Sequence, residues 1–318
     1  MHNFRNSLLR LSLFSVLPLL VIAYAIYLTG KNTGDFYKRF TSPPQNSLIL
    51  GSSRGSSINP AILDSIVQSK YPDVKFYNYA FTWGHSPYGP KYLESIKKKL
   101  DPNTKNGLFI LVVEPTSLMV DRTKPDEPSF YFENDKSVAK TKFVNISPNL
   151  EYLVESYDYS ITYELNKKII PPKNPMVDLQ ILDNGKMQVT MIKDFPPKQR
   201  AEVNKQKMQE FRERINGLKW STNRVNYLEE TIVFLKNHGK VIMVRTPINK
   251  VPYNIENTSV PYFDIKLNEL AKKTNVSYIN YNNYKNNYHC IDEVHLSQES
   301  MTRFSKELGK LLFEEKFR

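Results

Sequence analysis

The sequence has a single cysteine, Cys290, among its 318 residues. A disulfide within the chain is therefore excluded, and so are zinc sites built from clusters of cysteine ligands. Histidine is also scarce, with five residues in all, so few side chains can act as an imidazole base or as a metal ligand. The sequence shows no internal repeat and no low-complexity tract, and a repeat architecture is not expected.

Long runs of one charge sign are also missing, although the formal net charge is +12. The only tight basic run is Lys97-Lys98-Lys99, and the other Lys and Arg residues are mixed with Glu and Asp. This spread does not favour nucleic-acid binding. The net positive charge also fits a basic domain held near an anionic bilayer. Because 40% of the residues are hydrophobic, the chain is expected to form a packed core.

One long apolar run is present, and it spans residues 11–30 without a charged residue. About 20 apolar residues are enough for a helix to cross a bilayer. We therefore predict a transmembrane signal-anchor, with residues 1–10 as a cytoplasmic tail and residues 31–318 on the extracytoplasmic side. The alternative is a signal peptide cleaved after Ala23-Tyr24-Ala25. In both cases the domain is exported.

Beyond a polar stalk predicted for residues 31–45, short apolar runs alternate with helical patterns. Strands are predicted at 47–50, 74–78, 108–113, 241–244 and 276–279, and helices from Asn59-Pro60, at 92–100, 223–237 and 262–273, and after Ser297. Such alternation predicts an α/β fold with about five parallel strands covered on both faces. The alternation breaks at residues 120–222, which we interpret as an insertion. That region holds a hairpin, 179–189, turning at Asn184-Gly185, and a charged helix, 198–217.

Two short sequence blocks could carry chemistry. Gly51-Ser52-Ser53 follows the first strand, and a serine on a strand-to-helix turn is exposed beside backbone N–H groups that could bind an oxyanion. Asp292-Glu-Val-His295 precedes the last helix, and its spacing lets the carboxylate orient the imidazole as a base. Gly and Ser are also ordinary turn residues. A metal site formed by His85, His289, Asp292 and His295 is a further alternative.

These blocks resemble the SGNH (GDSL-like) hydrolase superfamily. Ile49-Leu-Gly51-Ser-Ser53 is similar to its first block, in a Gly-Ser-Ser variant, and Asp292-x-x-His295-Leu is similar to its last. The nearest resemblance is to the membrane-anchored group that includes the D-alanyl transfer protein of teichoic acid synthesis. It implies a three-layer flavodoxin-like SGNH domain over residues 46–318, interrupted by the insertion. It covers the two blocks and the order of strands and helices, but not the insertion.

The resemblance also implies residue roles. Ser53 would be the nucleophile, His295 the base and Asp292 its orienting acid, with the N–H groups of Ser53 and Gly84 in the oxyanion hole. By their position, His85 and Glu114 are candidate substrate contacts. The alternatives are an ordinary loop residue for His85 and a solvated strand-end carboxylate for Glu114. No cofactor and no metal are implied.

The chain departs from the family pattern at two places. Ser52 stands where an Asp usually precedes the serine, and Glu114-Pro-Thr-Ser117 replaces the Gly-x-Asn-Asp block. The expected function is acyl transfer or ester hydrolysis on a cell-envelope glycan or related polymer, with the membrane-bound O-acyltransferase that the family implies as a partner. Because an oxyanion donor is missing, the alternative is a degenerate domain that serves as an envelope assembly or binding factor.

Overall fold

A computed structural model describes residues 2–32, 36–156, 177–191, 196–283 and 288–315. Its first element is a long helix, α1 (His2–Asn32). Within it, Phe4–Ala25 is long and apolar enough to cross a membrane, and it is not buried against the rest of the protein. The predicted apolar segment, residues 11–30, lies inside this helix.

The remaining elements follow in chain order. The helices are α2 (Tyr37–Thr41), α3 (Ser53–Ser56), α4 (Pro60–Val67), α5 (Pro90–Lys99), α6 (Ser137–Lys140), α7 (Pro197–Asn216), α8 (Thr222–Lys236), α9 (Lys250–Ser259), α10 (Phe263–Thr274) and α11 (Gln298–Glu314). The strands are β1 (Ser47–Leu50), β2 (Phe76–Asn78), β3 (Gly107–Val112), β4 (Met119–Asp121), β5 (Val177–Ile181), β6 (Met187–Met191), β7 (Leu218–Trp220), β8 (Gly239–Arg245) and β9 (Ser277–Asn280).

Five strands form one parallel sheet in the order β2-β1-β3-β8-β9. The registers pair Leu48 with Phe109, Val241 with Phe109, and Val244 with Ile279. The strand order reverses between β1 and β3, which makes this pair the switch point of the sheet, the place where open α/β sheets bind their ligands. This confirms the predicted α/β class and its five parallel strands.

The core lies on both faces of the sheet because successive side chains of a strand point to opposite faces. Ile49 and Ile110 pack with α4 and α11 in one cluster. Leu48 and Leu111 pack with α5, α8 and α10 in the other. β1 and β3 are buried along their whole length, which explains why their residues are apolar apart from Ser47. The Ser47 hydroxyl oxygen accepts from the Leu108 N–H at 3.1 Å.

The insertion is closed at its base by an antiparallel pair of strands, β4 and β7. Glu133, inside the insertion, accepts two 2.8 Å hydrogen bonds from Arg224 of α8, outside it, and both side chains are buried. β4 and β7 lie at the two ends of the predicted region 120–222, whose assignment as an insertion stays a prediction. The predicted charged helix, 198–217, is α7.

The hairpin is formed by β5 and β6, in register from Val177 with Met191 to Ile181 with Met187. Gly185, in its turn, has a φ of +77°, and a Cβ there would collide with the carbonyl oxygen of Asn78. The Asn78 N–H donates to the Asn184 carbonyl at 2.9 Å. The turn therefore packs against the end of β2 and needs glycine for both its conformation and its close approach.

The expectation of a polar stalk over residues 31–45 was wrong from residue 36 onward. Phe36, Tyr37, Arg39 and Phe40 are buried against the domain. The Arg39 guanidinium donates through Nε and Nη2 to the Gly185 carbonyl, at 3.1 and 2.8 Å. The buried aromatic side chains of this short segment hold it against the domain. The prolines and charged residues of the segment predict a stalk, because they give no sign of this burial.

Candidate active site

The turn after β1 has a conformation that only glycine adopts readily. Gly51 has a φ of +124°, and a Cβ on it would lie 2.5 Å from the carbonyl oxygen of Val112 in β3. Its N–H donates to the Tyr92 hydroxyl at 2.9 Å, and its carbonyl accepts from the Ser86 hydroxyl at 2.7 Å. Both backbone groups of the turn are therefore held by side chains, which fixes the direction in which the chain enters α3.

Ser53 is the first residue of α3, and Ser52 caps that helix by accepting from the Arg54 N–H at 3.3 Å. The Asn78 amide donates to the carbonyls of Gly55 and Ile58, at 2.8 and 3.0 Å. Ser53 thus sits on a short helix fixed at both ends, at the carboxyl end of β1, and its side chain is half-buried.

The second block folds into a narrow loop before α11. The Ile291 N–H donates to the His295 carbonyl, and the Ser297 N–H donates to the His289 carbonyl, both at 2.8 Å. At the tip, Glu293 has a φ of +74°, a conformation that non-glycine residues rarely adopt. This tight reversal turns Asp292 and His295 to the same side.

The structure brings the three predicted catalytic side chains together. His295 Nε2 lies 2.8 Å from Ser53 Oγ. His295 Nδ1 lies 2.9 Å from both carboxylate oxygens of Asp292. The three residues form one serine–imidazole–carboxylate chain, in which 242 residues separate the serine from the histidine. This is the arrangement that a serine nucleophile, its base and an orienting acid require.

Asp292 is held in its charged form. Burial raises the pKa of this carboxyl, but the hydrogen bonds and charge of His295 outweigh burial and hold the pKa below its usual range. The His295 backbone N–H also donates to Asp292 Oδ1 at 3.0 Å. An ionised Asp292 places the imidazole proton on Nδ1 and leaves the Nε2 lone pair directed at Ser53.

A clamp on the loop tip comes from two other parts of the chain. Asn204 of α7 donates to Glu293 Oε1, and Asn249, which precedes α9, donates to Glu293 Oε2, both at 2.9 Å. The Asn249 N–H also donates to the Glu293 carbonyl at 3.0 Å. The insertion therefore contacts the loop that carries Asp292 and His295.

Glu114 occupies a place different from a solvated strand-end carboxylate. It is 1% exposed, and it lies below Ser52 and Arg54. Burial raises its pKa, against the opposing effects of the Arg54 charge and a hydrogen bond from Ser52. Within the described residues, Glu114 Oε2 and Arg54 Nη1 are buried and make no hydrogen bond. Glu114 is thus a buried neighbour of Ser52 and Arg54, on either side of Ser53, and it is not exposed to solvent.

Arg54, next to Ser53, begins a chain of buried ion pairs. Its Nη2 lies 2.6 Å from Glu256 Oε1, and Arg245 Nη2 lies 2.8 Å from Glu256 Oε2. All three side chains are almost fully buried. The residue after the serine is therefore tied to the end of β8 and to α9, and this pairing holds α3 against the sheet.

The two other predicted site residues, Gly84 and His85, lie on the loop after β2. His85 Nδ1 is 2.6 Å from Thr82 Oγ1, and its ring packs edge-on against Phe36, with 5.0 Å between ring centroids. Gly84 lies in the same loop, with nothing within 4 Å of the position its Cβ would take. The loop is joined to the nucleophile turn through Ser86. The roles of Gly84 and His85 stay predictions.

A cleft of about 380 Å³ lies between β6 of the hairpin and the start of α11, and Ser53, Asp292 and His295 are not among the residues that line it. Ser57 and Leu296 line it, close in sequence to Ser53 and His295. The other lining residues are mixed in polarity: Asn59, Lys186, Met187, Gln188, Val189, Thr190, Ile291, Ser297, Gln298, Met301 and Thr302. A cleft of this volume can hold a small substrate group.

In the described part of the chain, no group of three His, Cys, Asp or Glu side chains is placed to hold a metal ion. Burial raises the pKa of Cys290 to about 12, so its thiolate is not available at neutral pH. The residues that sequence reasoning missed are those that support the turn and the loop: Tyr92, Ser86, Asn78, Arg54, Glu256, Glu293, Asn204 and Asn249. Most are ordinary polar residues distant in sequence from the group they hold. Only two had a signal in the sequence: Arg54, directly after the first block, and Glu293, within the second.

Comparison with known proteins adds no relative, because no protein-family model matches the chain and no curated protein matches it.

Proposed function

We propose that the protein is a membrane-anchored serine acyl-transfer enzyme of the SGNH type, an O-acyltransferase or esterase that works through an acyl-serine intermediate. The observation that carries the proposal is the 2.8 Å contact between Ser53 Oγ and His295 Nε2, with Asp292 behind the imidazole. The sheet supports it as well. Counted along the sheet alone, its strands have the order 2-1-3-4-5 of flavodoxin-like folds, and Ser53 follows the strand at the switch point.

The chemistry follows from the geometry. Ser53 Oγ attacks the acyl carbonyl carbon while His295 Nε2 takes the hydroxyl proton. The leaving alcohol receives that proton as the carbon–oxygen bond breaks, which leaves an acyl-serine. A second hydroxyl, from a glycan or from water, then loses its proton to His295 and attacks the same carbon. The bond from that carbon to Ser53 Oγ breaks, and His295 returns the proton to Ser53 Oγ. The N–H groups of Ser53 and Gly84 are the proposed oxyanion donors.

Membrane attachment supports an envelope substrate. Phe36, which packs on His85, follows the last residue of α1 by four residues, a span of at most about 14 Å. The loop that carries His85 is thus close to the end of α1. We propose that the domain lies on the extracytoplasmic side of the membrane. There it would accept an acyl group from a membrane-bound O-acyltransferase and pass it to a cell-envelope glycan or related polymer.

The experiment is turnover of an activated aryl ester by the full chain in detergent. Ser53→Ala should lose a factor on the order of 10⁴ or more in rate, because the nucleophile and base act as a unit. Ser57→Ala, a serine that lines the cleft, is the matched control and should keep most of the rate. Turnover that survives Ser53→Ala contradicts the proposal. Adding a polyol acceptor and measuring its acylation separates transfer from hydrolysis.

One observation favours a second function, a degenerate domain that assembles an envelope complex. The third block has no amide side chain, and its Glu114 is buried. If Ser53→Ala and His295→Ala leave the envelope phenotype of the cells unchanged while deletion of the gene alters it, the assembly role is supported.

A further inference from the structure

A stretch of the insertion exposes several large apolar side chains to solvent. Between residues 142 and 154 the exposed fractions are 56% for Phe143, 44% for Ile146, 63% for Leu150 and 72% for Val154. We name residues 142–154 the apolar loop. Single exposed apolar residues are common on protein surfaces. Four within twelve residues form the kind of patch that marks a contact surface.

The apolar loop is held firmly by buried polar groups. The Asn149 side chain donates to the carbonyls of Phe40 and Phe143, at 3.2 and 2.6 Å, and its backbone N–H donates to the Tyr37 hydroxyl at 3.2 Å. The Tyr152 ring packs on those of Tyr37 and Phe40, with centroids 5.8 and 5.1 Å apart. The loop is thus fixed to α2, and its apolar side chains are presented outward on a rigid base.

A second anchor is Lys99 at the end of α5. Its Nζ donates to the Val144 carbonyl at 2.8 Å, to Asn145 Oδ1 at 3.0 Å and to the Ser42 carbonyl at 2.6 Å. The lysine joins the apolar loop to the segment that links α1 to the domain. The exposure of the four apolar side chains is therefore a feature of the folded domain.

The position of the loop indicates what it contacts. Residues 152–156, at its end, lie against α1, the helix of membrane-spanning length, and α2 follows α1 directly in the chain. Lys140 and Lys142, at the start of the loop, are exposed next to Phe143. Apolar side chains flanked by lysines beside the exit of a membrane helix match the apolar and anionic layers of a bilayer surface.

We propose that the apolar loop inserts Phe143, Ile146, Leu150 and Val154 into the interfacial layer of the bilayer that holds α1. This inference rests on the proposed membrane anchoring and does not depend on catalysis by Ser53. The bilayer, and not a protein partner, is the occupant we propose because residues 152–156, where the loop ends, contact α1. Two attachments, the helix and the loop, would fix how the domain sits on the membrane.

The test uses the full chain in nanodiscs that contain anionic lipid. Ile146→Cys carries an environment-sensitive fluorophore, and Ile265→Cys is the matched control. Ile265 is 60% exposed on α10, which packs beside β9, an outer strand of the sheet. Unsubstituted chain treated with the same reagent controls for Cys290, whose raised pKa disfavours labelling.

The proposal predicts blue-shifted emission at position 146 and its loss when nitroxide-labelled lipids are added, with neither effect at position 265. A water-like spectrum at 146 that lipid nitroxides do not quench overturns it, and leaves a protein partner as the occupant. Incorporation into nanodiscs tests the anchor separately, and labelling of Ser53 by a fluorophosphonate tests the active site separately.

Discussion

At the scale of single residues, Gly51 carries the strictest requirement in the candidate site. Gly51→Ala must place a Cβ 2.5 Å from the Val112 carbonyl oxygen at a φ of +124°. We expect the free energy of unfolding to fall by about 3 kcal/mol or more, from backbone strain and overpacking together. Urea denaturation measures it. Gly84→Ala, with nothing within 4 Å of the new methyl group, should be close to neutral, and equal losses for the two variants would refute the account.

Glu293 holds the loop that carries His295, and we interpret it as a positioning residue for that imidazole. Glu293→Ala removes the acceptors of the Asn204 and Asn249 amides and loosens the loop. We expect kcat for an aryl ester to fall roughly tenfold to a hundredfold, with KM little changed, because the imidazole loses its alignment with the serine. Glu299→Ala, at an exposed position in the first turn of α11, is the control. An unchanged kcat for Glu293→Ala would rule out the positioning role.

The lowered pKa of Asp292 gives a prediction for stability in acid. A carboxyl whose pKa is lower in the folded than in the unfolded chain stabilises the fold above its unfolded value of about 3.9, and that contribution is lost as the pH falls through the folded pKa. The difference in unfolding free energy between the wild type and Asp292→Asn should therefore be largest near pH 7 and shrink below about pH 4. Denaturation at a series of pH values measures it. A difference that stays constant down to pH 2 would mean that Asp292 is not preferentially charged in the fold.

At the scale of elements, a buried ion pair joins the insertion to the sheet. Glu133→Ala would leave the Arg224 guanidinium charged and unpaired in the core, and should lower the free energy of unfolding by about 3–5 kcal/mol. Glu94→Ala breaks a pair with Lys98 that is partly exposed, and should cost about 1 kcal/mol or less. Similar losses for the two variants in urea denaturation would contradict this view of the insertion.

The elements also differ in how far the sequence predicts them. β1 and β3 are evident because continuous apolar runs are needed where both faces of a strand are buried. The hairpin is predicted because Asn184-Gly185 suits its turn. α2 was missed because a five-residue helix has no periodicity to detect, and its docking depends on contacts with Phe81 and Gly185, far along the chain.

At the scale of the whole molecule, the candidate site joins the two ends of the domain. The order of strands and helices predicts that Ser53, after β1, and Asp292 and His295, before α11, lie at the carboxyl ends of the strands. The distances between them, the burial of Glu114 and the clamp on Glu293 could not be predicted, because each depends on tertiary contacts between segments with no local signal. The insertion illustrates this: the broken alternation of strands and helices predicts it, but its contact with the Asp292–His295 loop is visible only in the fold.

The central claim is that His295 activates Ser53, and fluorophosphonate labelling of the full chain tests it most directly. Tryptic peptides analysed by mass spectrometry locate the modified residue, and circular dichroism shows that each variant is folded. The account predicts label on Ser53 in the wild type and none on Ser53 in His295→Ala. A folded wild-type protein that takes no label on Ser53, or a His295→Ala variant labelled as fast as the wild type, would contradict it.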